Sequence, residues 1–361
     1  MNCITFPIRS GYDGKRCLVH ARCCSAPDRM LATAQYLDVN GSDLFSGLLM
    51  STSTDGGKTW SDFIPQEGLA PIENGEMLTV GCDATPMYHR KTGTILLLGH
   101  TAEYEAGAMS PTGLRRQTFY SVYDEHTNAF RKMMFLQMPE GFERCGNGSG
   151  QSVELENGDL LIPVYYRSGD EPFMYSAVLR CSFDGENLGL IEMGNSLTMT
   201  IGRGLYEPSL VCHRGVYYMT LRNDECGCVA KSTDGLHYTD LHHWCWDDGS
   251  LLDNYNTQQH WMTVGDELYL VYTRRGADND HVFRHRAPLF AAKVEHMRLR
   301  RDTEAVLVGQ RGARLGNFGV TSCPDGKAAV MAAEWMQPKG CEQYGSDNTI
   351  FLSFVGGPPS R

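Results

Sequence analysis

The chain has 361 residues, of which 42% are hydrophobic and 21% charged, a composition typical of an ordinary soluble globular protein. Its net charge of −11 argues against nucleic acid as the main partner, because phosphate binding needs a basic surface. No run of about 18 apolar residues is present, so no membrane partner is expected. Met1–Cys17 lacks the apolar core of a signal peptide, which predicts a cytoplasmic protein, or a secreted one if a signal has been removed.

The 13 cysteines are odd in number and irregular in spacing. Neither Cys23–Cys24 nor Cys226-x-Cys228 has the paired spacing of a zinc site. We therefore predict mostly free thiols in a reducing compartment, and neither a metal nor another cofactor.

In chain order, one unit recurs six times at intervals of 50 to 67 residues. Each copy has an apolar strand, a tight turn containing Asp, Asn or Gly, a second strand, a loop, a third strand and a weaker fourth. The copies begin at His20, Asp83, Gly150, Tyr206, Asn256 and Asn317. No segment has convincing helical periodicity, and no linker divides the chain. The pattern predicts an all-β protein, a single six-bladed β-propeller of four-stranded antiparallel blades over residues 1–361; a sandwich or two small β domains are the alternatives.

A short motif, STDGGKTW, follows the third strand of the first unit at Ser53–Trp60. Degenerate copies begin at Ser182 and Ser232, again after third strands. The pattern Ser-x-Asp-x-Gly-x-Thr-Trp resembles the Asp-box of the sialidase-like propellers. The resemblance covers nearly the whole chain and implies a turn between the third and fourth strands, on the face opposite the central funnel. The motif therefore indicates scaffold rather than chemistry, and Asp55 should lie away from the largest pocket.

Chemistry is expected at the other face, where first strands begin and second strands end. The strand starts carry His20 or Arg22, Asp83, Gln151, Glu207, Gln259 or His260, and Asn317. The strand ends carry Tyr36, His100, the run Tyr165, Tyr166 and Arg167, then Arg222, Arg274 and Glu334. Acidic and basic groups that converge on one funnel suit a sugar bearing a carboxylate.

Several of these residues match the sialidase pattern one by one. Arg22 resembles the first arginine of the family's carboxylate-binding triad, and Asp43 its general acid before the first Asp-box. Glu207 resembles the glutamate that partners the nucleophile, with Arg222, fifteen residues on, as a second triad arginine. The sixth unit resembles the last blade of the family, and Glu334 stands at the end of its second strand.

The sequence departs from the family at two places. Where the nucleophilic tyrosine is expected, the chain has Asn317 and Phe318, and neither can attack. The third arginine is absent from the start of the fifth unit. Its substitutes come from the basic loop after the second strand of that unit, which could form a lid that grips a carboxylate. These substitutes are Arg274, Arg275, Arg284 and Arg286.

The resemblance implies a glycoside hydrolase that removes a terminal acidic sugar, most simply a sialic-type acid, so the expected partner is a carboxylated glycan. Asp43, Glu207 and His100 are the predicted catalytic residues. The predicted substrate-binding residues are Arg22, Arg222, Asp83, Tyr166, Arg167, His260, Arg274, Arg286 and Glu334. Two alternatives stay open: a propeller lyase that cleaves uronic-acid linkages with His, Tyr and Arg, and a glycan-binding propeller without catalysis.

Overall fold

The computed structural model describes residues 1–41, 43–105, 108–109, 116–142, 145–169 and 171–356. Six antiparallel sheets surround one axis, which confirms the predicted all-β six-bladed propeller. Blade 1 contains Arg16–Ser25, Met30–Asp38, Phe45–Ser53 and Ile64–Pro65. Blade 2 contains Ile72–Asn74, Met77–His89, Thr94–Glu105, Ala108–Met109, Thr118–Asp124, Ala129–Phe130 and Met134–Phe135. Blade 3 contains Cys145–Gly146, Val153–Glu154, Leu160–Arg167, Met174–Phe183 and Leu188–Met193.

The second half of the ring follows the same plan. Blade 4 contains Tyr206–His213, Val216–Arg222, Cys228–Ser232 and Thr239–His243. Blade 5 contains His260–Val264, Glu267–Tyr272, Leu289–Glu295, Arg298–Leu299 and Ala305–Val308. Blade 6 contains Phe318–Ser322, Ala328–Ala333, Ile350–Gly356 and, as its outer strand, Asn2–Arg9. Four short 3₁₀ helices lie at Glu67–Leu69, Phe283–His285, Arg301–Thr303 and Cys341–Tyr344. None of the helices in the described ranges is long and apolar enough to cross a membrane.

The ring is closed by the two ends of the chain. Asn2–Arg9 pairs antiparallel with Ile350–Gly356, so the first strand of the sequence completes the last blade. No strand is predicted here from the sequence, because the segment precedes the six repeats and has no partner strand beside it in the sequence, although Ile4, Phe6 and Ile8 stand at alternate positions. Apolar side chains packed between neighbouring blades form the core, as where Leu289 and Val271 of blade 5 meet Phe318 and Val330 of blade 6.

The inner strands of three blades are interrupted at their funnel ends. His20, Asp83 and Glu207 have left-handed φ angles of 55°, 51° and 47°. At each of these residues the pairing register with the second strand shifts, as in a β-bulge. A bulge redirects a side chain, and left-handed backbone at non-glycine residues is concentrated at functional sites. The backbone conformation alone therefore makes these three residues candidates for a functional site.

The Asp-box motif forms a hydrogen-bonded turn between the third and fourth strands of blade 1. Asp55 Oδ1 accepts hydrogen bonds from Ser53 Oγ at 2.8 Å and from the amides of Lys58 and Thr59 at 3.0 Å. Trp60 Nε1 donates to the carbonyl of Gly57 at 2.9 Å. The side chains of Ser53, Asp55 and Trp60 thus bond within the turn, as a scaffold role requires.

A cavity of about 740 Å³ opens on the axis at the same end as the tight hairpin turns. Its walls include Pro27, Met87, Trp261 and Cys323, and Asp55 is not among its lining residues. The expectation of a pocket at the opposite, funnel end is wrong for this cavity. The residues that line this cavity come from the inner strands near their hairpin ends, and include Arg90, Glu154 and Trp261.

Candidate active site

In the half of the funnel formed by blades 1, 2 and 3, Asp83 is the hub, the carboxylate at which the polar contacts converge. Its Oδ1 lies 2.9 Å from Arg22 Nη2, 3.3 Å from His20 Nε2 and 2.9 Å from Ser149 Oγ. Its Oδ2 lies 3.8 Å from His100 Nε2. These groups come from blades 1, 2 and 3, and the bulges of the inner strands turn His20 and Asp83 toward each other. The predicted residues Arg22, Asp83 and His100 are thus brought together.

Electrostatics keep this hub in a defined charge state. Burial alone would raise the pKa of Asp83, but His20, Arg22 and His100 outweigh it and hold that pKa well below its usual value. Burial lowers the pKa of His20, and burial together with the charge of Arg116 lowers the pKa of His100 well below its ordinary value. The result is a carboxylate flanked by two imidazoles that favour the neutral form, an arrangement that can hold hydroxyl groups of a ligand through hydrogen bonds.

His100 also belongs to a chain of polar contacts that reaches blade 3. Arg116 Nη1 lies 2.7 Å from His100 Nε2 and also donates to the hydroxyl of Tyr165. The Tyr165 hydroxyl is 3.5 Å from His100 Nδ1. Burial raises the pKa of Tyr165, so this side chain is a neutral phenol that can donate a hydrogen bond.

Cys82, Asp83 and His100 place three possible metal-ligand atoms within 4.8 Å of one another. Arg22 already donates to Asp83, and Arg116 already contacts the Nε2 atom of His100. Burial raises the pKa of the Cys82 thiol and so disfavours the thiolate that a metal would need. Two neighbouring guanidinium groups also repel a cation. The residues therefore fit hydrogen bonding better than metal binding.

Glu207 and Arg222 dominate the other half of the funnel. Both carboxylate oxygens of Glu207 lie 2.7 Å from Arg222 Nη1. Arg222 Nη2 donates to the side-chain oxygen of Asn256, whose backbone oxygen accepts from Arg286 Nη2. The guanidinium of Arg222 also lies 4.8 Å from the ring centre of Tyr206, its cross-strand neighbour. Predicted Glu207, Arg222 and Arg286 are thus joined through one asparagine.

This second half is strongly positive. Arg222 and Arg286 are buried, and the Nε atom of each has no hydrogen-bond partner among the described residues. Burial and the nearby charge of Arg222 hold the pKa of Arg286 well below its usual value. A buried Nε donor without an acceptor is costly, and so is the repulsion between two neighbouring guanidinium groups, unless an anion joins them. The arrangement is suited to binding a carboxylate.

The two halves face the same space. Glu207 is close enough for its charge to act on both Arg116 and Tyr165. The rings of Tyr165 and Tyr206 are 6.2 Å apart. A substrate in the funnel can therefore contact the arginines of blades 4 and 5 and the Asp83 hub at the same time.

Asp43 lies at the rim of the funnel in the loop after the second strand of blade 1. Its backbone has a φ of 53°, and its carbonyl accepts a hydrogen bond of 2.6 Å from the hydroxyl of Tyr104. Its charge acts on His20 and on Arg314. The loop position that the sequence predicted for a general acid is thus adjacent to the cluster.

Three predicted residues are corrected, because their polar groups are used elsewhere. Tyr166 packs between blades with its hydroxyl on Ser196, since a strand alternates and Tyr165 takes the funnel side. Arg274 turns away to pair with Glu304 at 2.6 Å. Glu334 has both oxygens occupied by Arg311, at 2.8 Å each, and one also accepts backbone amides.

Two further predicted residues lie near the cluster without joining its hydrogen bonds. His260 is buried beneath it, with Nδ1 3.0 Å from Ser209 Oγ and its ring against Phe318. Burial, together with the charge of Arg22, lowers the pKa of His260 to about 3. Arg167 is half-buried, and its Nε has no partner among the described residues. Phe318, at the position where the nucleophilic tyrosine was expected, offers only its carbonyl, to Arg22.

Sequence reasoning missed two residues of the site, Arg116 and Asn256, and one neighbour at its rim, Arg314, which does not join its hydrogen bonds. Arg116 lies just before the strand Thr118–Asp124 of blade 2, and no spacing or motif in the sequence marked this residue. Asn256 begins the fifth repeat and could have been found as a polar strand start. Arg314 precedes the first strand of blade 6 and carries no motif.

The sequence matches no protein-family model, and no curated protein is detectably similar to it. Solved structures do resemble it. Trypanosoma rangeli sialidase shares 15% identity at a TM-score of 0.68, covering 98% of this chain and 59% of that one. The fold is sialidase-like. A leech intramolecular trans-sialidase (13%, TM-score 0.62) and the NanB sialidase of Streptococcus pneumoniae (12%, 0.65) cover 98% and 97% of the chain, and 70% of their own. This sialidase-like propeller thus spans about 59% of the trypanosomal enzyme's length, and identities this low establish the fold alone.

Proposed function

We propose that the funnel binds a terminal sugar through its carboxylate and hydrolyses the glycosidic bond next to it. The observation that carries the proposal is the pair of buried arginines, Arg222 and Arg286, whose Nε donors have no acceptor among the described residues. A carboxylate accepts hydrogen bonds from such groups with good geometry and neutralises their repulsion. Trypanosoma rangeli sialidase, which has a similar fold, has been solved in complex with sialic acid.

In this proposal the two halves of the funnel have different tasks. Arg222 and Arg286 hold the carboxylate, and this fixes the anomeric carbon relative to Glu207. Asp43, at the rim, gives a proton to the leaving oxygen. Glu207 accepts a proton from the water that attacks the anomeric carbon. Asp83 and its neutral histidines hold the sugar hydroxyls through hydrogen bonds on the opposite side.

Water is the attacking group because Asn317 and Phe318 replace the expected nucleophile. Asn317 has no nucleophilic side chain, and Phe318 is buried against His260. Direct attack by water on the sugar gives a product of inverted configuration. The stereochemistry of the first-formed product is therefore a property that the proposal specifies.

A second candidate is elimination from a uronic-acid linkage. It is favoured by the neutral His100, which lies beside Tyr165 and Arg116. Elimination needs a base for the proton next to the carboxylate and an acid for the leaving oxygen, and an imidazole and a phenol can take those roles. The product would carry a carbon–carbon double bond that absorbs ultraviolet light.

The experiment is a screen of matched glycosides: a sialoside, a terminal glucuronide, a glucuronide that carries a further sugar on O4 as the leaving group for elimination, and the glucoside that lacks the carboxylate. Released sugar is measured by chromatography and unsaturated product by ultraviolet absorbance. Hydrolysis of an acidic glycoside, lost in Arg222→Gln and kept in the control Arg274→Gln, supports the proposal. Ultraviolet-absorbing product supports elimination instead. Cleavage of the glucoside at the same rate as the acidic glycosides would contradict both, and binding without turnover would indicate a glycan-binding propeller.

A further inference from the structure

A third arginine, Arg314, lies at the rim of the funnel, and no carboxylate of the described ranges forms an ion pair with it. Its backbone pairs with Trp335, and its guanidinium is stacked 4.3 Å from that ring and 5.2 Å from the ring of Phe283. Nη2 donates to Gln337 Oε1 at 3.1 Å. The residue is only 7% exposed, and its Nε has no hydrogen-bond partner among the described residues. The planar group is therefore held in a fixed position with a donor left over.

The surroundings of Arg314 differ from those of the first two arginines. Gln337 also donates to the carbonyls of Val39 and Gly41, so it ties Arg314 to the loop that carries Asp43. Trp335 packs 5.4 Å from the ring of His20. Arg314 thus belongs to the side of the funnel formed by blades 6 and 1.

The first two arginines belong to blades 4 and 5, where Asn256 joins them. Yet Arg314 is near enough to Arg286 for the two charges to repel. One substrate of ordinary size can therefore span both positions.

The charges of the funnel residues could be compensated by two bound anionic groups. The described funnel residues include five guanidinium groups and three carboxylates, an excess of two positive charges. The five are Arg22, Arg116, Arg222, Arg286 and Arg314, and the three are Asp43, Asp83 and Glu207. Burial lowers the pKa of Arg314 to about 10, although Asp43 acts in the opposite direction. A single sugar carboxylate on Arg222 and Arg286 would leave one positive charge uncompensated.

We propose that Arg314 is a second anion subsite, and that the natural substrate carries a second acidic group besides its carboxylate. The inference rests on the proposed function for the position of the first carboxylate. The chemistry that Arg314 recognises is a planar or tetrahedral oxyanion: a sulfate ester or a second carboxylate. The flat guanidinium between two aromatic rings presents its N–H edge to such a group.

The test is calorimetric titration with three sets of probes of the same sugar ring. They are methyl glucuronide, its mono-O-sulfates and its mono-O-carboxymethyl ethers. At least one doubly charged probe should bind about tenfold or more tightly than methyl glucuronide, as expected for an added charged hydrogen bond. Arg314→Gln should abolish that difference and leave the affinity for methyl glucuronide within about twofold. The sulfates and the ethers separate the two kinds of oxyanion.

Two controls separate this proposal from the proposed function. Arg222→Gln should weaken all the probes together, and Arg314→Lys should keep part of the preference for two charges. Equal binding of singly and doubly charged probes to the wild type would overturn the second subsite and leave the first intact. An equal loss of affinity for singly and doubly charged probes in Arg314→Gln would also overturn the second subsite and leave the first intact. Failure of methyl glucuronide and every other probe to bind would overturn both.

Discussion

Replacing Glu207 with glutamine tests whether the funnel is a catalytic site or a structural ion pair. Glutamine keeps the shape of the side chain and removes its charge. Glu207 is about 10% exposed and Arg222 about 8%, and the two are joined at 2.7 Å through both carboxylate oxygens. If Glu207 accepts the proton of the attacking water, turnover should fall by a factor on the order of 10² or more.

The same substitution has a predictable effect on stability. Arg222 keeps its bond to Asn256 and its contact with Tyr206, so it does not become an isolated charge. The expected cost is the loss of a charge-assisted hydrogen bond, about 1.5–3 kcal/mol. For 361 residues the entropy of unfolding is about 0.8 kcal/mol per kelvin, so the melting temperature should fall by about 2–4 °C.

The assay compares kcat on the best acidic glycoside with melting temperature, and Glu304→Gln is the matched control. Glu304 also pairs with an arginine through both carboxylate oxygens, which bind Nε and Nη2 of Arg274 at 2.8 and 2.6 Å, but outside the funnel. Both variants should melt a few degrees lower, and only Glu207→Gln should lose turnover. If Glu207→Gln retains turnover, or if Glu304→Gln loses it equally, the catalytic assignment of Glu207 is refuted.

Three further predictions concern the turn motif, the buried histidines and the phenol. Asp55→Ala should lower the melting temperature and leave kcat unchanged, because all its bonds lie within the Asp-box turn; a loss of kcat in still-folded protein would place the motif in the chemistry. Burial lowers the pKa of His260 to about 3 in the folded state, so only the unfolded chain takes up its proton between about pH 6.5 and 3. Its contribution to stability is thus complete above about pH 6.5 and is lost as the pH falls, at up to about 1.4 kcal/mol per pH unit. When the free energy of unfolding is measured by urea denaturation at several pH values, it should fall less steeply with decreasing pH in His260→Asn than in the wild type. An unchanged dependence on pH would argue against a neutral buried ring. Tyr165→Phe should leave hydrolysis within about tenfold, whereas a loss of ultraviolet-absorbing product in this variant would favour the elimination alternative.

The sequence was most informative where geometry follows from strand periodicity. Glu207 and Arg222 are fifteen residues apart on consecutive antiparallel strands, and a hairpin of that length brings them side by side. The same strand geometry brings Asp83 near His100 across blade 2, two residues that were predicted separately from the sequence. Six repeats with tight turns were likewise enough to predict the number of blades.

Where loops decide direction, the sequence could not choose. No feature of the sequence distinguishes one of the four arginines of the fifth-blade loop as the substrate-binding residue. Only the folded loop directs Arg286 to Asn256 and Arg274 to Glu304. Tyr166 and Glu334 were chosen for their places at strand ends, but packing between blades and pairing with Arg311 use their polar atoms. The partner that each of these side chains binds is distant in the sequence, so no short motif could predict it.

The central claim is that an acidic sugar binds in the funnel, at Arg222 and Arg286, rather than in the cavity of about 740 Å³ at the hairpin end of the axis. The most direct measurement is a crystal structure of the protein with a carboxylated monosaccharide such as sialic acid. We predict the sugar carboxylate within hydrogen-bond distance of both arginines, with Asp43 and Glu207 on either side of the anomeric carbon. A sugar in the opposite cavity, beside Trp261, or one whose carboxylate points away from both arginines, would contradict the account.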